Sequence, residues 1–266
     1  MGNEKPDLFT VIATGERLPP RETLAEIYRD FHKIPFDEAA QMARHSWGFI
    51  AENIPEQQAS EIAEKCKAAG IETALTPAGD TAAAEPFKLI IKTACDKENF
   101  SFTPEHAAQI AVPWENVLIA AAAPVKEEIV MRQTVKEGPS IAQRAVGMML
   151  TGLPIALGKT KKIEKESKQT ETAFYMDIVL KPPHGRLRMR SDNFDYSYLG
   201  SRKTYSSQTN FRIFATDIAF LSENALKNTG LLAIMERKQL APLGYDSLND
   251  FDKEIRRLCA VLHLRN

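Results

Sequence analysis

The chain has 266 residues, of which 44% are hydrophobic and 26% charged, and its formal net charge is -1. That length allows a sizeable core and makes two domains the expectation, and the composition is ordinary for a soluble globular protein. The balanced charge supplies no global field toward nucleic acid or membrane, so any such attraction has to be local.

The start, Met1–Asp7, has no apolar run behind a basic segment, so no signal peptide is expected, and Pro6 stands where a myristoylation signal wants Ser or Thr. No apolar run is long enough to span a bilayer; the nearest, Ala142–Leu157, contains Arg144 and Pro154. The expected location is the cytoplasm. In chain order, Phe9–Ala13 reads as a strand, and Pro19-Pro20 closes the loop after it. A helix follows over about 22–31, with Leu24, Ile27, Tyr28 and Phe31 on one face. Pro35 opens a second helix over about 36–44, and Gly48–Ala51 is a short strand candidate. A third helix runs from Pro55 to Ala69 with Ala59, Ile62, Ala63 and Cys66 as its buried stripe and Gly70 at its end, before the strand Ile71–Leu75. The order is β-α-α-β-α-β.

Phe36-Asp37-Glu38-Ala39-Ala40, then Pro55-Glu56-Gln57-Gln58-Ala59, Ile62 and Ala68-Ala69-Gly70-Ile71, give residues 1–78 a pattern that resembles the C-terminal domain of ribosomal protein L7/L12 and the related adaptor ClpS. The resemblance covers about the first third of the chain and implies a docking module, because both families use the domain to hold other proteins.

Residues 79–86 are rich in Ala, Thr and Gly and read as a linker to a second domain over 87–266. There, Phe87–Ile91, Phe100–Thr103 and Val112–Ala120 read as strands, Pro113 marking an edge or a strand start. An apolar helical segment is expected at 139–157, and the charged tract 158–170 reads as a flexible Lys-rich loop. Core packing or a second copy would bury the Met148, Met149, Leu150 and Leu153 cluster; an interfacial helix backed by Lys159, Lys161 and Lys162 is the membrane-surface alternative. The alternating run Thr172–Leu180, the turn Pro182–Gly185 and the run Arg186–Arg190 predict a hairpin. Helices are expected at about 209–221, from Glu223 toward Arg237, and at 250–263. Val112-Pro113-Trp114-Glu115-Asn116-Val117-Leu118-Ile119-Ala120, with the later hairpin and terminal helix, resembles bacterial PH-like domains, which implies further antiparallel strands. The fold class is therefore α+β: an L7/L12-ClpS-like domain, then a mixed, PH-like antiparallel-sheet domain with C-terminal helices.

Arg186, Arg188 and Arg190 recur at period two, so they project to one side of a strand, with Leu187 and Met189 on the other. Lys181 and His184 flank the row, and Arg202 and Lys203 lie beyond it. Guanidinium forks match phosphates and carboxylates, so the row is a candidate contact for a phosphate-bearing ligand or an acidic partner. Phe194, Tyr196, Tyr198 and Tyr205 would add base stacking if the ligand were nucleic acid. The plain structural alternative is a solvated hairpin face, its arginines paired to Asp192, Asp195 or nearby glutamates. Asp192–Gly200 concentrates hydrogen-bonding groups among aromatics: a buried turn in which Asn193 and Asp195 satisfy backbone donors, or a ligand-binding loop.

Other chemistry finds little footing. Cys66, Cys95 and Cys259 stand far apart, and the 5 histidines are dispersed without metal-ligand spacing. Gly152 stands one residue out of place for a phosphate loop ending in Gly158-Lys159-Thr160. Ser197 and Ser201 have no positioned base beside them, and Trp47 and Trp114 read as core anchors. The expected function is non-enzymatic protein docking or scaffolding with self-association, without cofactor or metal. One alternative is binding of nucleic acid or anionic lipid through residues 186–190; another is an enzyme whose residues come from distant positions. The candidate partner- or ligand-binding set is Arg186, Arg188, Arg190, Asn193, Asp195, Tyr196, Tyr198 and Arg202; no residue is assigned as catalytic.

Overall fold

The computed structural model describes residues 7–80, 86–137 and 161–265. The expected apolar helix at 139–157 and residues 81–85 of the expected linker lie outside them. The chain divides into two compact units, Met1–Lys126 with Thr172–Asn266, and Glu127–Glu171.

The first unit begins with β1 (Leu8–Ala13), α1 (Arg21–His32), α2 (Phe36–Ser46), β2 (Phe49–Pro55), α3 (Glu56–Ala68) and β3 (Thr73–Pro77). The strands pair antiparallel in the order β2-β1-β3. Each helix follows a proline, whose fixed φ suits a helix start. α1 buries Leu24, Ala25, Ile27 and Tyr28, the spacing of one helical face, and α3 buries Ala59, Ile62 and Cys66. These stripes close over Val11, Ala13 and Ile50 of the sheet. Ile12, between Val11 and Ala13, points the other way and joins a different core.

The second sheet contains β4 (Phe87–Cys95), β5 (Asn99–Pro104), β6 (Ile110–Pro113), β7 (Val117–Glu137), β8 (Lys161–Leu180), β9 (Gly185–Arg190) and β10 (Leu226–Lys227), in the order β10-β7-β8-β9-β4-β5-β6. Its helices are α4 (Ser207–Leu221), α5 (Thr229–Met235) and α6 (Leu248–Arg265). Alternate residues of β7 go to opposite cores. Ala120 and Ala122 meet Phe211, Phe214 and Ile218 of α4 and Leu231 of α5. Ile119, Ala121, Ala123 and Val125 meet Phe251, Ile255, Leu258 and Val261 of α6, together with Ile12, Trp47 and Phe49. From Ile119 to Val125 both faces of this strand are dry, which is why that stretch is an apolar run rather than an alternating one.

Several expectations change. The sheet expected to be antiparallel is mixed, because β4 runs parallel to β9 and β10 runs parallel to β7. The strand read over Val112–Ala120 breaks at Pro113: Trp114–Asn116 form a 3-10 turn, and the buried Trp114 indole donates to the Asp96 carbonyl at 2.9 Å. The helix expected from Glu223 starts at Thr229, where the Asn228 side chain caps it by accepting from the Leu231 N–H. The Lys-rich tract read as a loop is strand β8 from Lys161 onward, beside β7. Backbone ladders need no apolar side chains, so nothing in that tract announced a strand. β7 and β8 supply the described residues of the second unit, Glu127–Glu137 and Lys161–Glu171.

Within the first unit, α6 binds the two sheets together through buried polar groups. Arg257, fully buried, donates to the carbonyls of Ala13 at 2.9 Å, Gly15 at 2.5 Å and Glu16 at 3.1 Å. Its Nη2 lies 3.9 Å from Glu254, also fully buried. Glu254 accepts from the Tyr245 hydroxyl at 2.5 Å and from Asn228 Nδ2 at 2.8 Å, and Asn228 also donates to the Ala122 carbonyl at 3.0 Å. Burial and the Glu254 carboxylate push the Tyr245 hydroxyl well up, so it stays a donor. Trp47 stacks on Tyr245 with ring centroids 4.4 Å apart and donates to Asp250 at 2.8 Å. Gly48, at φ +83°, leaves room for Arg257: a Cβ there would meet Arg257 Cδ at 2.3 Å.

Gly230 sits against β7 so closely that a Cβ would meet the Ala122 carbonyl oxygen at 1.9 Å. A backbone group cannot swing aside as a side chain can, so Gly230→Ala is expected to destabilise the fold by at least about 1–3 kcal/mol. Urea denaturation of the variant against wild type measures this.

Candidate functional site

The arginine row is built by the β8–β9–β4 register. Asp177 lies opposite Arg188 and Val179 opposite Arg186 across β8 and β9, while Phe87 and Leu89 lie opposite Arg186 and Arg188 across β4 and β9. Leu187 and Met189 take the other face, as period two requires, and join the α4 core. The arginine face of β9 is covered in its turn: Arg186 is 3% exposed and Arg188 2%. Asp252, from the first turns of α6, reaches both guanidinium groups.

The resulting cluster is two arginines and two aspartates. Arg188 makes a two-pronged contact with Asp177, Nε to Oδ1 at 2.7 Å and Nη2 to Oδ2 at 2.8 Å, and donates to Asp252 at 2.5 Å. Arg186 donates to Asp177 Oδ2 at 2.6 Å and also to Asp252. Arg188 lies over the Phe87 ring, 4.2 Å from its centroid. Burial works against charge on Arg188, but Asp177 and then Asp252 outweigh it and hold the cation. Burial likewise pushes the Asp252 carboxyl up, and the hydrogen bonds from Arg186 and Arg188 outweigh it, leaving the group below its ordinary 3.8. This corrects both readings of the row at Arg186 and Arg188: they are neither a solvated face nor a row offered to a ligand, because α6 covers them and carboxylates remote in sequence take their donors. Arg190, half-buried, lies 3.2 Å from Asp192.

The aromatic loop is a structural turn. The Asp195 carboxylate accepts from the Ser197 N–H at 2.8 Å and hydroxyl at 3.0 Å and pairs with Lys92 of β4 at 3.2 Å. Burial raises that carboxyl, and the Ser197 and Lys92 contacts outweigh it to bring it below its ordinary value. The Asn193 N–H turns back to the Arg190 carbonyl. The Tyr196 hydroxyl donates to the Ser191 carbonyl at 3.1 Å, and burial pushes it well up. Tyr198 donates to Asp217 of α4 at 3.1 Å, and Arg202 holds the same carboxylate through two bonds of 2.9 and 2.7 Å. Phe194, Tyr196 and Tyr198 all pack around Phe214. The eight candidates therefore do not converge on one centre. Sequence reasoning did not find Asp177, Asp217 or Asp252; the signal that could have found Asp177 is its place in the alternating run Thr172–Leu180, on the same face as Tyr175 and Val179.

Burial pushes the Cys66 thiol up to about 11 and the Cys95 thiol up to about 12, so neither carries a thiolate at neutral pH. Among the described residues no group of three or more His, Cys, Asp or Glu is placed to hold a metal ion, and no helix is long and apolar enough to cross a membrane.

An apolar row is exposed on β4. Phe87, Leu89 and Ile91 of β4 are 40%, 45% and 42% exposed. Phe87 and Leu89 stand on the face that Arg186, Arg188 and α6 close over β9, one strand beyond the cover. The strand was legible in Phe87–Ile91; its exposure was not.

Asp177→Asn strips a buried carboxylate from two buried guanidinium groups and is expected to destabilise by about 3–5 kcal/mol, whereas Arg202→Ala, at a surface ion pair, shifts stability by at most about 1 kcal/mol. Denaturant melts of both variants test the contrast. Because Asp252 is held below its ordinary value, its contribution is full above that value and fades as pH falls through the folded-state value. Wild type should lose stability below about pH 4 more steeply than Asp252→Asn, read by urea denaturation across the acid range. No protein-family pattern, no curated protein and no solved structure matches the chain, so the site stands on its own geometry.

Proposed function

We propose that the chain is a non-enzymatic docking or scaffold protein that holds another protein on the outer face of β4. The observation that carries this is the row Phe87, Leu89 and Ile91, three large apolar side chains about 40% exposed on a single strand. Isolated exposed apolar residues are ordinary on any surface, but a contiguous row beside a covered face is what an interaction site exposes. The partner that fits presents an apolar segment, since Lys88, between Phe87 and Leu89, lies opposite Leu187 and so stands on the other face of the strand, where it donates to the His184 carbonyl at 3.3 Å. The resemblance of residues 1–78 to the L7/L12 and ClpS docking domains supports the same reading from the sequence side. The phosphate-binding reading loses its main argument, because the Arg186 and Arg188 donors point at Asp177 and Asp252.

The test is capture from nuclease-treated cytosol with wild type, Leu89→Glu and Arg202→Ala as baits. A specific protein held at moderate salt by wild type and Arg202→Ala, and lost at least about ten-fold by Leu89→Glu with an unchanged unfolding curve, is expected; an exposed substitution of this kind moves stability by only about 0.5 kcal/mol. Retention of the same protein by Leu89→Glu, or recovery of nucleic acid alone before nuclease treatment, would overturn the proposal. Sedimentation of the purified chain reads self-association: a dimer broken by Leu89→Glu would replace a foreign partner with a second copy.

A further inference from the structure

A second site lies away from β4, where the loop after β1, the start of α1, the end of α2 and the turn before α6 meet. They enclose a cleft of about 320 Å³. Its apolar lining includes Leu18, Pro20, Leu24, Ala43, Trp47 and Leu243. All of these belong to the first compact unit.

The walls are tied rather than merely adjacent. The Leu18 N–H donates to Thr229 Oγ1 at 2.9 Å, fixing the loop to α5. Arg21, first residue of α1, donates through Nη2 to the Leu243 carbonyl at 2.6 Å, fixing α1 to the turn before α6. Arg44 pairs with Asp246, fixing α2 to the same turn. The end of α2 carries strain: Trp47 is a bulky residue at φ 50°, held there by its stack on Tyr245 and its bond to Asp250. Left-handed backbone at a large aromatic persists only where its surroundings over-determine it, and such positions gather at ligand clamps. A gap left by poor packing needs none of these ties; a pre-formed pocket at the meeting of two substructures has them.

The polar groups at the cleft decide the ligand. Arg44 is neutralised by Asp246, which Lys126 also holds. Glu22, exposed at the same end of α1, also lines the cleft and brings one carboxylate to it. Arg21 differs from both: its one partner among the described residues is a neutral carbonyl. Its remaining guanidinium donors form a fork that matches a carboxylate. The volume sets the body. A dry cavity of ~150 Å³ holds one benzene ring, so this cleft takes a body of roughly two rings.

From the tied apolar walls and the unneutralised Arg21, we propose that this cleft is a binding site for a small carboxylic acid with a compact apolar body, the carboxylate on Arg21 and the body against Trp47 and Leu24. The site is independent of the β4 docking face, and neither proposal needs the other.

Trp47 makes binding visible. The chain has 2 tryptophans, so Trp114→Phe leaves Trp47 as the single reporter. Adamantane-1-carboxylate, transparent where tryptophan is read, is the probe, with 1-adamantanemethanol as its neutral counterpart. A saturable change in Trp47 emission with the acid is expected, at least about ten-fold weaker for the alcohol. Arg21→Gln, at an exposed position, should weaken the acid by a similar factor and leave the alcohol unchanged. Should Trp114→Phe disturb the fold, titration calorimetry on the wild-type chain with the same two probes gives the same comparison. No saturable binding of either probe overturns the site. Equal binding of acid and alcohol, or binding of the acid indifferent to Arg21→Gln, overturns the assignment of an acid as its ligand.

Discussion

The fold of the first unit turns on Arg257. A guanidinium without water needs an oxygen for each donor it can reach, and the loop after β1 supplies the carbonyls of Ala13, Gly15 and Glu16. That requirement fixes where α6 crosses β1, and Gly48 must stay without a side chain for the arginine to pass. Once α6 is so placed, Phe251, Ile255 and Leu258 cover one face of β7 and β8, and Asp252 reaches Arg186 and Arg188. One helix thus sets the contact between the sheets, the ion cluster and the limit of cover on the second sheet. Beyond that limit stand Phe87 and Leu89.

Buried ion clusters rarely stabilise a fold more than apolar packing of the same size, and their established use is to select one arrangement among several. Both clusters here have that character. Apolar contacts between α6 and the sheet would tolerate some sliding along the helix axis. The two-pronged contact of Arg188 on Asp177, with Asp252 as third member, does not, and neither does Arg257 among its three carbonyls. Within the first unit, hydrophobic burial supplies the driving force and the arginines supply the register.

The N-terminal elements were legible because each carries its own signal. Prolines open the helices, Leu24, Ile27 and Tyr28 repeat at helical spacing, and Gly70 marks an end with φ 76°. The α+β class followed from these and from the hairpin at 172–190. Parallel pairing of β4 with β9 was not legible, since it joins residues about a hundred positions apart with no turn between them. The arginine row was read correctly as one face of one strand. Its environment was not, because the deciding residue, Asp252, lies 64 positions from Arg188 on another element. Local pattern says which side chains share a face; only tertiary pairing says whether that face meets water, and Trp47, a core anchor by sequence, also lines a cleft for the same reason.

The bond between Arg257 and the Ala13 carbonyl spans 244 positions of the chain. A contact of that separation closes a loop of nearly the whole chain, and the entropy of closing it must be met before the contact returns anything. β1 is synthesised long before α6, so through most of synthesis Ile12 and Phe49 have no cover from that helix. The strand that begins the fold is therefore completed among the last, and the interval between is when the chain is most open to associating with the wrong surface.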